Sequence, residues 1–431
     1  MCVYIHSLLP VAAAIGLCYA LSVIASVCLL LGEGPAEFKC SWLIIVVALP
    51  IGGAVLYFIS YFSRTHRKSR SPVMPQAGCV GMEYFSDGAT FLRRLCELIS
   101  SARDEVLLEF YIIAKGLIWN SVYRELAAAL ARGVKVSIIY DGIGSALRAP
   151  KNDFKLLRRG GAKIKVFNKI MPIPVSRINF RDHRKIAVID GNAVFLGGVN
   201  IADEYANLTS PHGYWKDGGA LFHGEIARVF RDVFHCAFNG SCPAGTARER
   251  DVRGKFTLMP VADQPENKGS VCEDLIAGAV CSAKKRVYVF TPYLCMGEKL
   301  FDALSFAAKR GVDVKILIPH IPDKKLTFVI TRTYCERLTA EGVQTYRYVP
   351  GFMHFKGVVC DGGAMLGSYN LDYRSMRLNY ECGVWGGEEL ADEMARDFEE
   401  CIAVSQPYTP PKKRTAGRLA QSLCCLFAPL V

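Results

Sequence analysis

Apolar and polar residues follow different periods in different parts of the chain, and each period predicts a different kind of element. Leu8 to Leu31 is apolar and almost uncharged. At a helical rise of about 1.5 Å per residue, a stretch of that length is long enough to cross a bilayer. Trp42 to Phe62 is a second such segment, interrupted only by Pro50, Gly52 and Gly53. The turn-forming GEGPAEFK between them makes the pair a predicted transmembrane hairpin. SRTHRKSR follows, with Arg64, Arg67, Lys68 and Arg70. Positive charge at this end places it, the short N-terminus and the rest of the chain on the cytoplasmic side. A cleaved signal peptide would need a charged leading region, and residues 1–7 contain no Lys or Arg.

Beyond Arg70 the pattern changes to short apolar runs alternating with amphipathic stretches. Val106–Tyr111 and Val134–Tyr140 read as strands. Ser121–Arg132 reads as a helix closed by Gly133, and a further helix is predicted near Phe154–Arg159. The same order then recurs. SARDEVLLEFYI at 101–112 resembles SAKKRVYVFTPY at 282–293, and ELAAALARGVKVSIIYD at 125–141 parallels LFDALSFAAKRGVDVKILIP at 300–319. LLRRGGAKIKVFNK at 156–169 corresponds to RLTAEGVQTYRYVP at 337–350. The offset of about 170–180 residues makes these two copies of one α/β unit rather than a short solenoid repeat.

The predicted organisation is therefore a hairpin and basic segment over 1–70, a first lobe over 71–240 and a connector over 241–270. A second lobe, related to the first by a pseudo-twofold, covers 271–405, and a basic then apolar tail covers 406–431. That tail, KKRTAGRLAQSLCCLFAPLV, is predicted to lie on a membrane interface.

Composition adds little that the pattern does not. The 17 cysteines are scattered, with no CxxC pair and no Cys/His cluster at zinc spacing, so most read as small buried apolar residues in a reducing compartment. No metal site and no cofactor are predicted. A net charge of +12 suits nucleic acid and an anionic membrane surface equally.

The chemistry concentrates in FRDHRKIAVID, residues 180–190. Its Ile186–Ile189 run predicts a buried strand closed by the Asp190–Gly191 turn, yet His183 and Lys185 share one face of it. The second copy, GFMHFKGVVCD, repeats the pattern with His354, Lys356 and Asp361. Each is followed by a Gly-rich turn and an asparagine: Gly197, Gly198 and Asn200, then Gly367, Ser368 and Asn370. One such match constrains little; two at matching places in a repeat are specific. The motif residues His183, Lys185, Asp190, His354, Lys356 and Asp361 are the candidate catalytic set. Asp190 and Asp361 lie seven residues from their histidines, beside glycine, and read better as turn residues. His66, His212, His223 and His235 read as ordinary structural histidines, and His320 as a surface residue near the site mouth. Arg184 points away from His183 and reads as an ion-pair partner. Tyr111, Tyr293 and Trp215 read equally as groove lining or as core.

These motifs, with YWKDGG and GSYNLDYRSMRLNYE, resemble the phospholipase D superfamily, and within it the bacterial cardiolipin synthases. The resemblance extends over nearly the whole chain. Small departures are Asp182 where an asparagine is more usual, Cys360 before the second motif aspartate, and no tryptophan near Phe234 and His235. The resemblance implies a metal-independent phosphatidyltransferase at the bacterial inner membrane that acts on phosphatidylglycerol and releases glycerol. It implies His183 as nucleophile, His354 as proton donor, and Lys185, Lys356, Asn200, Asn370 and Ser368 around the phosphate. It further implies an acidic residue downstream of each motif to orient its histidine. Those are Asp217 and Glu381, with Asp217 expected to serve His183. Nucleases of the superfamily tend to be short chains with one motif, so nucleic acid is not the expected partner. A hydrolase, or a transferase using another alcohol, would share every one of these residues.

Overall fold

The computed structural model describes residues 2–32, 36–62, 74–169, 179–240, 251–267, 269–410 and 424–425. They fall into two compact units, the N-terminal helices in one and the repeat in the other.

In the first unit, helices run over Cys2–Leu31, Ala36–Ala48 and Pro50–Phe62. The predicted span Trp42–Phe62 is thus not one helix. It breaks at Leu49, where Pro50 cannot donate a backbone hydrogen bond, and the helices on either side have 13 residues each. Among the described residues, no helix is long and apolar enough to cross a membrane. The packing inside this unit is small: Ala25, Leu29, Val46, Ala54 and Tyr57 are buried together. Gly53 lies against the backbone of Ile45 and Val46, closer than any side chain would allow. Large apolar residues face outward instead, among them Leu17, Tyr19, Val23, Val47 and Leu56.

The second unit is built on two large sheets, with two small two-stranded sheets beside them. The first has seven strands in the order Gly81–Phe85, Gly219–His223, Ala193–Gly197, Lys185–Ile189, Glu105–Phe110, Lys135–Asp141 and Lys163–Phe167. The second follows the same order with Asn379–Gly386, Gly363–Gly367, Gly357–Cys360, Arg286–Phe290, Asp313–Pro319 and Gln344–Tyr348. In each, three parallel strands at one end meet antiparallel neighbours, so both sheets are mixed. The repeat seen in the sequence is therefore a repeat of topology.

Both faces of these sheets are covered, which is why the central strands read as unbroken apolar runs. Glu225–Asn239 buries Ile226, Phe230, Val233 and Phe234, and Glu388–Ala403 buries Leu390, Ala391, Met394 and Phe398. These helices share one apolar core with residues from both sheets, including Ile186, Val188, Phe290 and Val359.

Two predicted boundaries shift. The connector over 241–270 contains the eight-residue strand Phe256–Asp263, which joins the second sheet and also holds Ala77–Cys79 from the start of the first lobe. The tail predicted to begin at 406 starts instead within the edge strand Ser405–Pro407, and Tyr408 N donates to Thr345 O. Residues 411–431 of that tail, apart from Cys424 and Cys425, lie outside the described residues, as do Arg64, Arg67, Lys68 and Arg70. Among the described residues, fourteen cysteines form no disulfide, and Cys236 is disulfide-bonded.

Candidate active site

Each histidine reaches its place by pairing with the opposite copy. Arg181–Asp182 runs parallel to Asn379–Tyr380 of the second lobe, and His183 N donates to Tyr380 O at 2.9 Å. Gly351–Met353 runs parallel to Tyr214–Lys216 of the first lobe, and His354 N donates to Lys216 O at 2.8 Å. Only after this exchange does each segment enter the central strand of its own sheet.

The exchange decides the carboxylate partners. His183 Nδ1 lies 2.9 Å from both oxygens of Glu381, and His354 Nδ1 lies 2.5 Å from Asp217 Oδ2. Asp217 thus serves the second histidine and Glu381 the first, the reverse of the expected pairing. The sequence could not show this, because in the chain each acid follows the histidine that it does not hold.

Lys185 and Lys356 are each 1% exposed, and each donates to the carbonyl of the histidine two residues before it. Lys356 Nζ also sits 2.7 and 2.9 Å from the two ring nitrogens of His354. Tyr111 packs edge-on against His183 at 5.1 Å between centroids, while Tyr205 and Trp215 pack on His354 at 5.3 and 5.1 Å. Tyr293 donates to Asp323 and stands near Phe352.

This dry, cationic centre perturbs every group in it. Burial pushes the His183 imidazole down to about 4, against the pull of Glu381. Burial, followed by Lys356 and Lys185, holds His354 well below the ordinary imidazole range. Burial also lowers Lys185 to about 8 and Lys356 to about 7, although Glu381 and Asp217 oppose it.

The two acids differ. Burial raises the Asp217 carboxyl to about 7 despite Lys356 and the Gly218 amide. Burial pushes Glu381 the same way, but His183, Lys185 and the Ser368 hydroxyl outweigh it and leave the carboxyl below its usual range. Asn379 adds a 3.1 Å hydrogen bond to Glu381 Oε1.

Other predicted residues take different places. Asp190 and Asp361 are remote from the centre, at the far ends of their strands. Both have left-handed backbones, at φ 51° and 49°. Asp190 accepts from the amides of Arg103, Asp104 and Glu105, and Asp361 from those of Lys284, Lys285 and Arg286. They clamp turns. Asn200 accepts from Ile112 N at 2.9 Å and donates to Tyr205 at 2.7 Å, so it braces the site rather than facing a phosphate. Ser368 donates to Glu381 and accepts from Cys382 N, which commits it to the carboxylate. Asn370 is buried with its Oδ1 unpartnered; its backbone N–H donates to Ser375 Oγ at 3.2 Å, and its side-chain amide donates to Asp372.

Arg184 does form the expected ion pair, 3.5 Å from Glu109. Behind it, Asp182 and Glu109 are two buried acids facing one guanidinium, and burial raises both carboxyls. Glu109 and Tyr205 were not singled out by the motif. Nor was Lys216, which pairs with Asp397 at 2.6 Å while Tyr84 donates to the other oxygen of the same carboxylate at 2.7 Å. A charged residue beside the aspartate of YWKD was the available signal. Among the described residues, no group of His, Cys, Asp and Glu is arranged to hold a metal ion.

Comparison with known proteins gives a consistent result. A family model for the phospholipase D-like domain of cardiolipin synthase matches residues 95–211 and 276–402. A cardiolipin synthase of Alkalihalophilus pseudofirmus is 31% identical over 385 residues, covering 86% of this chain and 75% of the relative. One from Listeria welshimeri is 31% identical over 366 residues, covering 81% and 75%. An uncharacterized protein of Streptococcus mutans is 33% identical over 377 residues, covering 85% and 81%. Among solved structures, the phosphatidylserine synthase of Haemophilus influenzae superposes with a TM-score of 0.64. It covers 86% of this chain and 98% of its own at 15% identity, a likeness of fold.

Proposed function

Because this chain belongs to the cardiolipin synthase family of phospholipase D-like phosphatidyltransferases, we propose that it joins two phosphatidylglycerol molecules through a phosphohistidine. The observation that carries the proposal is the asymmetry between the two histidine–carboxylate pairs. Glu381, kept ionised, accepts Nδ1–H from a neutral His183 and leaves the Nε2 lone pair free to attack phosphorus. Asp217, whose carboxyl titrates at about 7, gives the His354 pair a proton to hold near neutrality. An arriving phosphodiester anion draws that proton onto the imidazole, because negative charge favours the cationic form.

The steps then balance. The His183 Nε2–P bond forms as the P–O bond to glycerol breaks, and His354 protonates the departing oxygen. The primary hydroxyl of a second phosphatidylglycerol next gives its proton to His354 and attacks phosphorus, and the N–P bond breaks. The products are cardiolipin, glycerol and the original enzyme. Lys185 and Lys356 offset charge on the phosphoryl oxygens in a site with little water, where such charges act strongly.

Membrane anchoring by the N-terminal helices is part of the same reading. Its support is a unit with a small buried interior and many large apolar side chains facing outward, which suits lipid better than water. The test is incubation of the purified protein with labelled phosphatidylglycerol. Cardiolipin and free glycerol in equal amounts are expected. Phosphatidic acid without either would sink the synthase reading in favour of a hydrolase.

A further inference from the structure

The loops around the two histidines carry an unusual share of the exposed apolar side chains of the catalytic unit. Leu117, Ile143, Leu147, Leu208, Ile321 and Leu326 all lie there, and Leu147 is 100% exposed. Contacts from three loops tie this rim to the centre. Gly144 lies against the Tyr111 ring that covers His183, closer than a side chain would permit, and Ser145 Oγ bonds the backbone on both sides of Ile112. Asn207 brackets the backbone of Trp215, which packs on His354. Ile321 N donates to Gly351 O, three residues before His354, and Lys324 sits 5.0 Å over the Tyr293 ring. Arg148 and Glu204 tie the first loop to the second through two hydrogen bonds of 2.6 and 2.7 Å.

The charges on this rim are sorted by sign. Lys115, Lys324 and Lys325 are exposed. The acids are turned inward: Asp203 accepts from the Leu117 and Ile118 amides, Glu204 from Arg148 and Asp323 from Tyr293. Apolar side chains held out on loops, with exposed ammonium groups among them, match the boundary between anionic headgroups and acyl chains.

We propose that this rim docks on an anionic bilayer, with Leu147, Leu208 and Ile321 entering the acyl boundary so that a lipid phosphate can reach His183 without crossing water. The proposal rests on the phospholipid reading of the site, but its test does not depend on turnover. The full chain is reconstituted into phosphatidylglycerol vesicles whose acyl chains carry bromine, a quencher of indole emission. The emission added by Leu147→Trp or Leu208→Trp is expected to fall about twofold or more, while that added by Val404→Trp, an exposed site at the end of the Glu388–Ala403 helix, stays unchanged. Equal quenching at all three positions, or none at Leu147→Trp, would overturn the docking.

A second measurement separates docking from catalysis. Leu147→Glu with Ile321→Glu should raise KM for vesicle lipid about tenfold or more, and leave turnover of a monomeric short-chain phosphatidylglycerol unchanged. Equal loss on both substrates would assign these residues to the fold instead. Quenching in a wild-type chain that makes no cardiolipin would leave docking standing and remove the proposed function.

Discussion

Gly198 and Ser368 occupy equivalent turns in the two copies and do opposite things. A methyl group at Gly198 would overlap Asp217 Oδ1, so the absent side chain is what admits the carboxylate that holds His354. At the matching place Ser368 supplies a hydroxyl to Glu381. Gly198→Ala should therefore displace Asp217 and reduce turnover by about a hundredfold, a loss typical of misplaced catalytic groups. Little change in the kinetics of that variant would show that the pocket tolerates the methyl group. Ser368→Ala removes a hydrogen bond to a charged group, a loss of about 1.5–3 kcal/mol, and should lower kcat by roughly ten- to a hundredfold.

The pH dependence follows from the same groups. His183 becomes protonated, and useless as a nucleophile, as pH falls through about 4. As pH rises through about 7, Asp217 loses its proton and Lys356 its charge, with Lys185 following at about 8. Both alkaline changes remove something the reaction needs, so kcat/KM should be bell-shaped with its falling limb near 7–8. Activity that still climbs above pH 8 would contradict the assignment of Asp217 and Lys356.

At the scale of elements, the strand Tyr214–Lys216 does two jobs. Its backbone carries the His354 segment, and its Lys216 is fixed to Asp397 on the helix Glu388–Ala403. Burial lowers the Lys216 ammonium, but Asp397 outweighs it and keeps the lysine charged. Asp397→Ala would strand that charge in the interior, and the unfolding free energy is expected to fall by about 3–5 kcal/mol. Tyr84→Phe removes only a hydrogen bond to the same carboxylate and should cost about 1–3 kcal/mol. Denaturant unfolding of both variants checks the ranking. The break at Leu49–Pro50 shows the opposite relation between residue and element, because a single proline limits how far one helix can run.

On the scale of the whole molecule, the exchange of carboxylates means that neither copy contains a complete histidine pair. His183→Ala and His354→Ala should each abolish turnover in a chain that still folds, and a phosphohistidine should be trapped on His183 in the presence of substrate. A label found on His354 alone would reverse the roles. Truncation before Met74 should release the protein from membranes that resist an alkaline carbonate wash in the intact chain. Retention of the truncated chain would show that anchoring lies elsewhere.

Much of this was legible in the sequence. Strand and helix type, the duplication, the His and Lys pairs and the turn role of Asp190 and Asp361 all follow from local periodicity and turn chemistry, which act over a few residues. The apolar run of KIAVI and the helical period of ELAAALARG need no partner to be read. What the sequence could not decide was which acid serves which histidine, why Ser368 is a serine, and that Lys216 is tied to Asp397. The acid pairing and the Lys216–Asp397 ion pair depend on segments separated by 137 to 198 residues lying side by side, and Ser368, only 13 residues from Glu381, has its role because that carboxylate is turned to His183. Spacing along the chain names the candidates for such contacts, but only the docking of one copy against the other selects among them, because each copy places an acid downstream of its own histidine and nothing in the chain says which histidine that acid meets.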